Sequence, residues 1–572
     1  MILQALYDYY HRCGDLPRKG MELKEIGYLI VIDENGTFLR IESRMIDKKR
    51  AAQFLVAQTV QRSGRKFVGN FLWDNCDYVI GYSEKNPDKA MLCKEAFTER
   101  VKELKEKLPS NRIVSAVYNF YQKYQFVYDV LKVDPLWKEI TVSTKNISFL
   151  IQGSTSIAAE DHDIVDISIG HDEDADARIC LVTGHKGKTA RIHAKVPLQG
   201  NAFTSLVSFK DGKGYDSYGK NQGTNAPVCE NAEFAYTTAL NHLLENNSRN
   251  KFMIGSRTFL FWASKNNEVG LKAEDGFFNL FGFNEQEDNP NKNIEQVRKV
   301  FESIYKGSLK TTSEDTFYIL GLAPNAARIA VTYWAEIPIR KFAETICKHF
   351  EDMEVIDNRH DKRPYMGLRN MISAVTLGGK VSDATPNLPE SIAKSIFEGL
   401  PYPQTLFASC VRRMRAESSD KDKNAVHITR AAIIKAYLNR INNNQTKIHV
   451  MLDKDNTNQG YLCGRLFAVL DKIQDDANRQ HSIRERYMNA ASATPATVFA
   501  TILNLSSHHS EKLNEGRRVF FEKTKQEIID KISADGFPSH LDLQDQGRFF
   551  VGYYHQMQSF YTKNEEEQVT EL

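Results

Sequence analysis

The chain has 572 residues, in which 75 lysines and arginines are balanced by 73 aspartates and glutamates, for a formal net charge of +2. This length exceeds what one ordinary hydrophobic core supports, so we expect at least two domains, and the balanced charge leaves nucleic-acid binding open. The eight cysteines show no paired zinc spacing, no stretch of about 18 apolar residues occurs, and no basic start precedes an apolar run. We therefore predict free thiols and a cytoplasmic protein that is not secreted and does not span a membrane.

The amino-terminal part of the chain predicts mixed α/β structure with antiparallel hairpins. An opening amphipathic helix is followed by two apolar runs on either side of residues 33–36, which is typical of a β-hairpin. Strand-forming residues also flank Pro324, Asn325 and Ala326, which predicts a second hairpin. Between these hairpins, residues 179–200 and 203–210 predict further strands joined by glycine-containing loops.

From residue 363 onward, apolar side chains recur with the period of a helix. Thr429 is predicted to cap a helix that buries its isoleucines while Lys435 and Asn439 point to solvent. Thr494 and Pro495 predict the start of another helix. The short connections between such helices favour an antiparallel bundle.

The predicted fold class is therefore α+β. A mixed α/β domain with antiparallel hairpins is predicted over residues 1–362, and an all-α helical bundle over residues 363–572.

No sequence pattern of an enzyme is complete in this chain. Residues 184–189 lack the first glycine of a phosphate-binding loop, and no aspartate follows the His508 and His509 pair as a further metal ligand. We therefore predict no catalytic residue, no cofactor and no bound metal. The alternative from another class is a metal-dependent nuclease that uses the acidic residues 160–176, whose cutting would be abolished at Asp163 or Asp174.

Two basic stretches are candidates for nucleic-acid contact. In residues 40–66, eight lysines and arginines are accompanied by only two acids, and small residues near position 64 let the backbone approach a groove. Nearby asparagines suit base edges, including those in the minor groove. The predicted contacts with double-stranded DNA are Arg62, Ser63, Gly64, Lys66, Asn70 and Asn75. An ordinary solvated loop is the alternative, and Trp73 is expected to anchor the loop in the core.

The second basic stretch covers residues 181–220, where seven lysines and arginines are accompanied by two acids. Aromatic and amide side chains among these cations suit single-stranded RNA or DNA. The predicted contacts are Lys186, Lys188, Arg191, Lys195, Tyr218 and Gln222. The alternative for the tyrosines is a place in the core of a sheet.

Arginines of the helical region are candidates for phosphate contacts along a displaced DNA strand. They are Arg412, Arg413, Arg415, Arg465, Arg484 and Arg486. Each could instead be an ordinary cation on a helix surface.

Several longer segments are more specific than any short motif: MILQAL, NFLWDN, SLVSFKDGKGYDSYGKNQGTNAPVCENAEFAYTTALNHLL, YILGLAPNAARIAV, RAAIIKAYLNR, GRLFAVLDKIQ, SATPATVF and GYYHQMQSF. With them, the chain resembles nearly end to end the large subunit of the subtype I-C CRISPR surveillance complex, Cascade. The departures are local. Residues 210–212 replace an asparagine-containing turn of that family, and the acidic residues 160–176 are peculiar to this chain.

The resemblance implies a non-catalytic subunit that recognises the protospacer-adjacent motif on double-stranded DNA and promotes duplex opening by the guide RNA. It implies contacts with the 5′ end of the guide RNA, the subunit that processes and holds that end, the repeating backbone subunits and the small subunits. It further implies recruitment of a separate helicase-nuclease. On this interpretation residues 62–75 include the motif reader, and residues 186–222 contact the guide RNA or its holder.

The resemblance also implies that the small subunit arises by internal translation of the same gene. Met451 is the predicted internal start, and residues 451–572 are long enough for a small helical domain. An ordinary internal methionine is the alternative. A different alternative for the whole chain is a structural scaffold that makes no DNA contact of its own.

Overall fold

The chain is divided into two compact units in the computed structural model. The amino-terminal unit comprises residues 1, 3–194 and 208–239, and the carboxy-terminal unit comprises residues 2, 195–207 and 240–572. The structure describes residues 1–60, 67–169, 177–198, 202–210, 212, 216, 218–254, 257–281, 292–325, 328–358, 367–380, 383–385, 387–417, 427–441, 447–479 and 482–562.

The amino-terminal unit combines a sheet with several helices. Its elements in chain order are α1 (Ile2–Arg12), β1 (Met21–Ile32), β2 (Phe38–Ser43), β3 (Ala52–Ala57), β4 (Trp73–Asp74), α2 (Cys76–Val79), α3 (Pro87–Lys107), α4 (Arg112–Lys123), α5 (Val127–Leu131), α6 (Trp137–Val142), β5 (Asn146–Ile151), α7 (His162–Ile169), β6 (Ala177–Ile179) and β7 (Lys186–Lys188). The strands β8 (Val196–Leu198) and β9 (Ala202–Thr204) follow in the carboxy-terminal unit, and α8 (Glu230–Leu244) begins in the first unit and ends in the second.

The long strand β1 organises a five-stranded sheet with the order β2-β1-β5-β4. Its second half pairs antiparallel with β2 and its first half pairs antiparallel with β3, while β5 runs parallel to it on the other side. Its side chains alternate between two hydrophobic clusters, one containing Ile30 and the other Val31. The first predicted hairpin is therefore confirmed. Its turn requires Gly36, whose φ of +78° would strain any side chain and whose added Cβ would lie 2.4 Å from the backbone N of Phe120.

The carboxy-terminal unit continues with β10 (Lys251–Ile254), β11 (Arg257–Ala263), α9 (Glu268–Phe281), α10 (Lys292–Tyr305), β12 (Thr316–Asn325), β13 (Arg328–Pro338), α11 (Ile339–Met353), α12 (Leu368–Ser373), α13 (Leu388–Glu398), α14 (Gln404–Glu417), α15 (Ile428–Ile441), α16 (Gln459–Asn478), α17 (Ser482–Ala491), α18 (Pro495–Ser510), α19 (Glu515–Ile529) and α20 (Leu543–Ser559). The strands β10 to β13 form an antiparallel sheet in that order. The pairing of β12 with β13 confirms the second predicted hairpin, and α18 begins at Pro495 as predicted.

The α+β fold class is confirmed, with strands in the amino-terminal region and a largely helical carboxy-terminal region. The compact units do not part at residue 362, because the sheet of β10 to β13 shares one hydrophobic core with the helices that follow it. Phe317 of β12, for example, stacks on Phe342 of α11 with ring centroids 4.6 Å apart. The division into functional domains at residue 362 stays a prediction.

The prediction for α15 is wrong at its polar positions. The helix begins at Ile428, so Thr429 lies inside it, and both Lys435 and Asn439 are buried. The Lys435 ammonium donates to the backbone oxygen of Asp352 at 2.8 Å, and burial lowers the pKa of Lys435 to about 8. Helical periodicity does not distinguish a polar side chain that faces water from one that meets a backbone carbonyl of a neighbouring element.

Helix α16 is buried on all sides and packs against α17, α18, α19 and α20. Glycines let α16 and α20 approach until their backbones touch. An added Cβ at Gly464 would lie 1.9 Å from the carbonyl oxygen of Phe549, and one at Gly552 would lie 2.3 Å from that of Tyr461. Helices α16 to α20 therefore form one closely packed group. No helix in the described part of the chain has the length and apolar character needed to cross a membrane.

Candidate nucleic-acid interface

The loop between β3 and β4, residues 58–72, carries the first set of predicted DNA contacts. Arg62, Ser63, Gly64 and Lys66 lie outside the described residues. The two arms of this β3–β4 loop are joined by Asn70, whose side-chain oxygen accepts the Val60 backbone N–H at 2.9 Å. The Asn70 backbone N–H donates to Asp74 at 3.1 Å. Only 2% of Asn70 is exposed, so this amide closes the base of the loop and does not face a ligand. The base-reading role predicted for Asn70 is corrected to a supporting one.

Asn75 lies just beyond the loop and caps the short helix α2. Its side-chain oxygen accepts the Tyr78 backbone N–H at 3.3 Å, and its own backbone N–H donates to Asp74 at 2.9 Å. The side chain is half-buried. Because the cap uses one lone pair of the amide oxygen, the amide nitrogen of Asn75 is the better placed group to meet a base edge.

The remaining contacts hold the carboxy-terminal arm of the loop in place. Trp73 is buried as predicted and donates its indole N–H to the Ala57 carbonyl at 3.0 Å. Leu72 has a φ of +57°, a conformation unusual for leucine, and its carbonyl accepts the Ser148 hydroxyl at 2.8 Å. Backbone strain of this kind persists only where the surroundings impose it, so the arm that follows residues 61–66 is held rigidly.

A second basic feature precedes β3 and was not singled out from the sequence. Residues 44–51, here called the basic protrusion, leave the sheet between β2 and β3, and Met45 pairs with Ala51 at their base. The Asp47 carboxylate accepts the backbone N–H groups of Lys49 and Arg50, at 2.8 and 2.9 Å, and the Arg50 guanidinium donates to it at 2.6 Å. Together these bonds lower the pKa of Asp47 to about 2.

The tip of the basic protrusion faces solvent. Lys48, Lys49 and Arg50 are all exposed, and so is 68% of Ile46. Strand β3 has six residues, so the protrusion and the β3–β4 loop are about 20 Å apart along the strand. The sequence signal was an aspartate followed within three residues by a run of cations between two strands, which is typical of an Asx-type turn.

The second predicted region is built on the hairpin of β6 and β7 and on residues 216–225, here called the tyrosine turn. Lys186 is exposed, whereas the Lys188 ammonium lies 3.3 Å from the Glu230 carboxylate. The exposed Arg191 guanidinium donates to the Gln222 side-chain oxygen at 3.0 Å. Lys195 is exposed and belongs to the carboxy-terminal unit. The structure therefore brings Arg191 and Gln222 together, as a single polar patch.

Tyr218 is fully exposed at the tip of the tyrosine turn, so the alternative of a core tyrosine is excluded for this residue. Tyr218, Gly219 and Gln222 have φ values of +55°, +69° and +44°. The Asp216 carboxylate accepts the Gly212 backbone N–H at 2.7 Å. Left-handed backbone at three of five positions is costly for non-glycine residues, and here it presents an aromatic ring to solvent beside Arg191.

Four of the six predicted displaced-strand arginines make structural contacts within the carboxy-terminal unit. Arg465 is fully buried and donates to Gln556 at 3.0 Å and to Glu527 at 2.9 Å. Arg413 forms an ion pair with Glu417, and Arg415 donates to Asn489 at 2.7 Å. The prediction for Arg465 is therefore wrong, because its guanidinium satisfies polar groups inside the helical group and does not reach solvent.

The fourth of these arginines, Arg484, is half-buried and its guanidinium forms a hydrogen bond with Tyr553. Arg412 on α14 and Arg486 on α17 are exposed. These two are the predicted cations of this set that face solvent in the described part of the chain.

The acidic region that carried the nuclease alternative lies partly in the described residues. Asn111 donates to Asp161 and to Asp163, each at 3.0 Å, so both carboxylates are used at the start of α4. Asp174 lies outside the described residues. Within the residues that the structure covers, no group of three or more His, Cys, Asp or Glu side chains is arranged to hold a metal ion.

Met451, the predicted internal start, lies in the segment between α15 and α16, and 58% of it is exposed. The neighbouring backbone is tied to the preceding part of the unit, since the Ile356 N–H donates to the Val450 carbonyl at 2.9 Å. All helices of the group α16 to α20 follow Met451 in the chain.

A family model described as CRISPR-associated protein (Cas_Csd1) matches residues 6–561. No curated protein matches the chain. The family match covers nearly the whole sequence, and it includes both the β3–β4 loop and the helical group α16 to α20. The resemblance drawn from the sequence is thereby confirmed: the chain belongs to the Csd1 family of CRISPR-associated proteins, in keeping with a large subunit of type I-C Cascade.

Proposed function

We propose that this chain is the non-catalytic large subunit of a type I-C Cascade complex and that its amino-terminal unit reads the protospacer-adjacent motif on double-stranded DNA. The β3–β4 loop is the motif reader, and base pairing by the guide RNA supplies the longer sequence specificity. The observation that carries this assignment is the buried Asn70 amide, which joins the described segments on either side of the sequence Arg62-Ser63-Gly64-Arg65-Lys66. A motif reader needs support from the domain that carries it, and the bond between Val60 and Asn70 gives such support on both sides of the basic sequence.

The basic protrusion supplies a second contact with the same duplex. Its cations lie about 20 Å from the β3–β4 loop along β3, close to the half-turn of B-form DNA, which is about 17 Å. Two phosphate contacts half a turn apart fix the orientation of the duplex while the loop reads its groove. The exposed Ile46, which precedes these cations in the chain, suits an apolar contact with an opened base step, which costs a few kcal/mol to unstack.

The tyrosine turn contacts single-stranded RNA, which in this complex is the 5′ end of the guide. A base can stack on the exposed ring of Tyr218 while Arg191 reaches a phosphate. Lys186 extends the same positive surface on β7. The processing subunit that holds this end of the guide is the protein partner expected at the tyrosine turn. The other protein partners proposed for the chain are the backbone subunits, the small subunits and the helicase-nuclease.

The fragment 451–572 is made separately as the small subunit by internal translation from Met451. The packing of α16 against α17 to α20 supports this proposal, because four helices that follow Met451 in the chain pack against the buried helix α16. The exposed cations Arg412 and Arg486 of the full-length chain are available for a displaced DNA strand.

The deciding experiment measures binding of the reconstituted guide-loaded complex to duplexes with a matched or a scrambled adjacent motif. We expect wild type to prefer the matched motif. Lys66→Ala should weaken binding to both duplexes and lower the salt dependence by about one phosphate contact. Asn70→Ala should reduce the preference itself, because the loop loses its closure.

Lys138→Ala is the matched control, since Lys138 is exposed in the same unit but distant in sequence from both basic features. It should change neither preference nor salt dependence. A wild-type complex without motif preference would contradict the proposed function. A preference that survives unchanged in Asn70→Ala, together with unchanged binding and salt dependence in Lys66→Ala, would contradict the location of the reader. Cutting of DNA by the purified chain with a divalent metal would favour the nuclease alternative.

A further inference from the structure

Two cysteines meet where the β6–β7 hairpin lies against the start of α8, inside the amino-terminal unit. Cys180 directly follows β6, and Cys229 directly precedes α8. Backbone contacts hold these segments together on either side of the two cysteines: Leu181 N–H to the Pro227 carbonyl at 2.8 Å, Ala190 N–H to the Val228 carbonyl at 2.9 Å, and a bridge between Thr189 and Cys229. The two sulfur atoms are therefore kept close together by the fold.

The Cys180 sulfur is surrounded by hydrogen-bond donors. The Cys229 backbone N–H donates to it at 3.2 Å, and the Thr183 and Val182 backbone N–H groups and the Thr183 side chain do so as well. Burial raises the pKa of the Cys180 thiol, but these hydrogen bonds outweigh burial and lower the pKa to about 7. Donors that converge on one sulfur atom stabilise the thiolate, which is the reactive form in disulfide chemistry.

The Cys229 thiol is the more accessible partner. It forms a hydrogen bond with the Cys180 thiol and is half-buried, whereas Cys180 is 1% exposed. Gly187 of β7 lies against Cys229, and a Cβ added at Gly187 would lie 3.0 Å from the Cys229 Cβ. The glycine therefore leaves the room that the Cys229 side chain occupies. A half-exposed thiol next to a buried thiolate has the arrangement of an attacking and a resolving cysteine.

We propose that Cys180 and Cys229 form a reversible intramolecular disulfide, with glutathione disulfide as the oxidant. Cys229 Sγ passes its proton to the hydrogen-bonded Cys180 thiolate and attacks one sulfur of glutathione disulfide, which releases one glutathione thiolate. The released glutathione thiolate then takes up the proton from Cys180 Sγ. Cys180 Sγ then attacks Cys229 Sγ and releases the second glutathione thiolate. The two cysteine thiols lose two electrons and two protons, and the oxidant becomes two molecules of glutathione. The disulfide does not depend on the proposed function.

Oxidation would alter the surface beside the pair. The thiolate of Cys180 is the acceptor for N–H groups of residues 182 and 183, and a neutral disulfide sulfur is a weaker acceptor. The turn between β6 and β7 would therefore rearrange while its first residue, Cys180, is covalently tied to the residue that precedes α8. Since β7 carries Lys186 and Lys188, the position of these cations would depend on the redox state of the pair.

The test treats the full-length protein with glutathione disulfide, blocks the remaining thiols with N-ethylmaleimide and maps the peptides by mass spectrometry. We expect a peptide containing Cys180 to be linked to one containing Cys229, with the loss of two hydrogens, and to be released by dithiothreitol. Cys13→Ser is the matched control, because Cys13 is a half-buried thiol of the same unit, and it should leave the linked peptide unchanged.

The Cys180→Ser variant should retain glutathione on Cys229, because no resolving thiol remains. This mixed disulfide should be at least about tenfold more abundant than in wild type, where the attack is intramolecular. The wild-type map alone decides the matter if the variant does not fold. Full blocking of both cysteines in oxidant-treated wild type would overturn the proposal, and so would glutathione that persists on wild-type Cys229.

Discussion

At Asn70, one buried amide holds the Val60 N–H, and removal of that amide leaves a backbone donor without its partner. We expect Asn70→Ala to lower the free energy of unfolding by about 1–3 kcal/mol, the cost of an unsatisfied buried polar group. Asn70→Asp, which keeps an acceptor oxygen, should recover part of this loss. Urea denaturation of the purified chain measures both. An Asn70→Ala protein as stable as wild type would show that the amide does not close the loop.

Tyr218 is the opposite case, since a fully exposed side chain adds little to stability. We expect Tyr218→Ala to change the free energy of unfolding by less than about 0.5 kcal/mol. Its effect on single-stranded RNA should be a loss of about 1–3 kcal/mol in binding, the contribution of one stacked base. Filter binding of a short RNA matching the 5′ end of the guide would measure it. Tyr218→Phe should bind as wild type does, and equal weakening in Tyr218→Phe would contradict stacking.

Individual elements were predictable from the sequence where the signal is local. Both hairpins were found because a turn between two strand-forming runs is encoded in adjacent residues. The orientation of Lys435 was not, because a helix pattern shows which residues share a face but not which distant segment covers it. The prediction for Arg465 failed for the same reason, since its hydrogen-bond partners Gln556 and Glu527 are remote in the chain.

The contact between α16 and α20 includes His555, a histidine whose pKa differs between the folded and the unfolded chain. Burial, and then the charges of Lys435 and His449, lower the pKa of His555 to about 3, and its ring meets the Tyr461 hydroxyl at 3.0 Å. An unfolded histidine has a pKa of about 6.5, so below that pH the unfolded chain binds a proton that the folded chain excludes. Stability contributed by neutral His555 is therefore complete above pH 6.5 and is lost as the pH falls toward 3.

We expect the free energy of unfolding to fall by up to about 1.4 kcal/mol per pH unit from this group alone as the pH is lowered from 6.5 to 5. His555→Gln, which keeps a polar partner for Tyr461, should show a smaller decrease over the same interval. Urea denaturation at several pH values compares the two slopes. Identical slopes would mean that other groups cause the acid sensitivity. His508→Gln is the control, because His508 is exposed on α18.

At the scale of the whole molecule, the family could be named from the sequence while many of the contact residues could not. Long segments resembled one family because related proteins share sequence along the entire chain, and the family match spans residues 6–561. The position of a contact depends instead on tertiary packing. Asn70 and Arg465 are both polar and both buried, whereas the exposed basic protrusion was noticed only as part of a longer basic stretch. Burial, not residue type, separated the structural polar residues from the available ones.

The group α16 to α20 leads to the prediction of widest reach, that residues 451–572 fold on their own. Within this group α16 packs against α17 to α20, but α20 also packs outside it, where Gly547 lies against Phe407 and Ile434. A free fragment would expose that face of α20, so we expect a helical protein that unfolds cooperatively but self-associates or binds other subunits. Circular dichroism and sedimentation of the fragment measure these properties. Gly464→Val should abolish folding, because a side chain there meets the Phe549 carbonyl.

Synthesis from the internal start is tested in the intact gene. Met451→Ala should remove a product beginning near residue 451 from the purified complex while the full-length chain remains, since this exposed side chain contributes little to the fold. Met488→Leu is the matched control, because Met488 is another methionine of the same region, and its buried side chain is replaced by one of similar volume. If the short product persists in Met451→Ala, it arises by proteolysis or from another start. If it disappears and DNA binding weakens until the fragment is added back, the helical group acts both as part of the large subunit and as a separate small subunit.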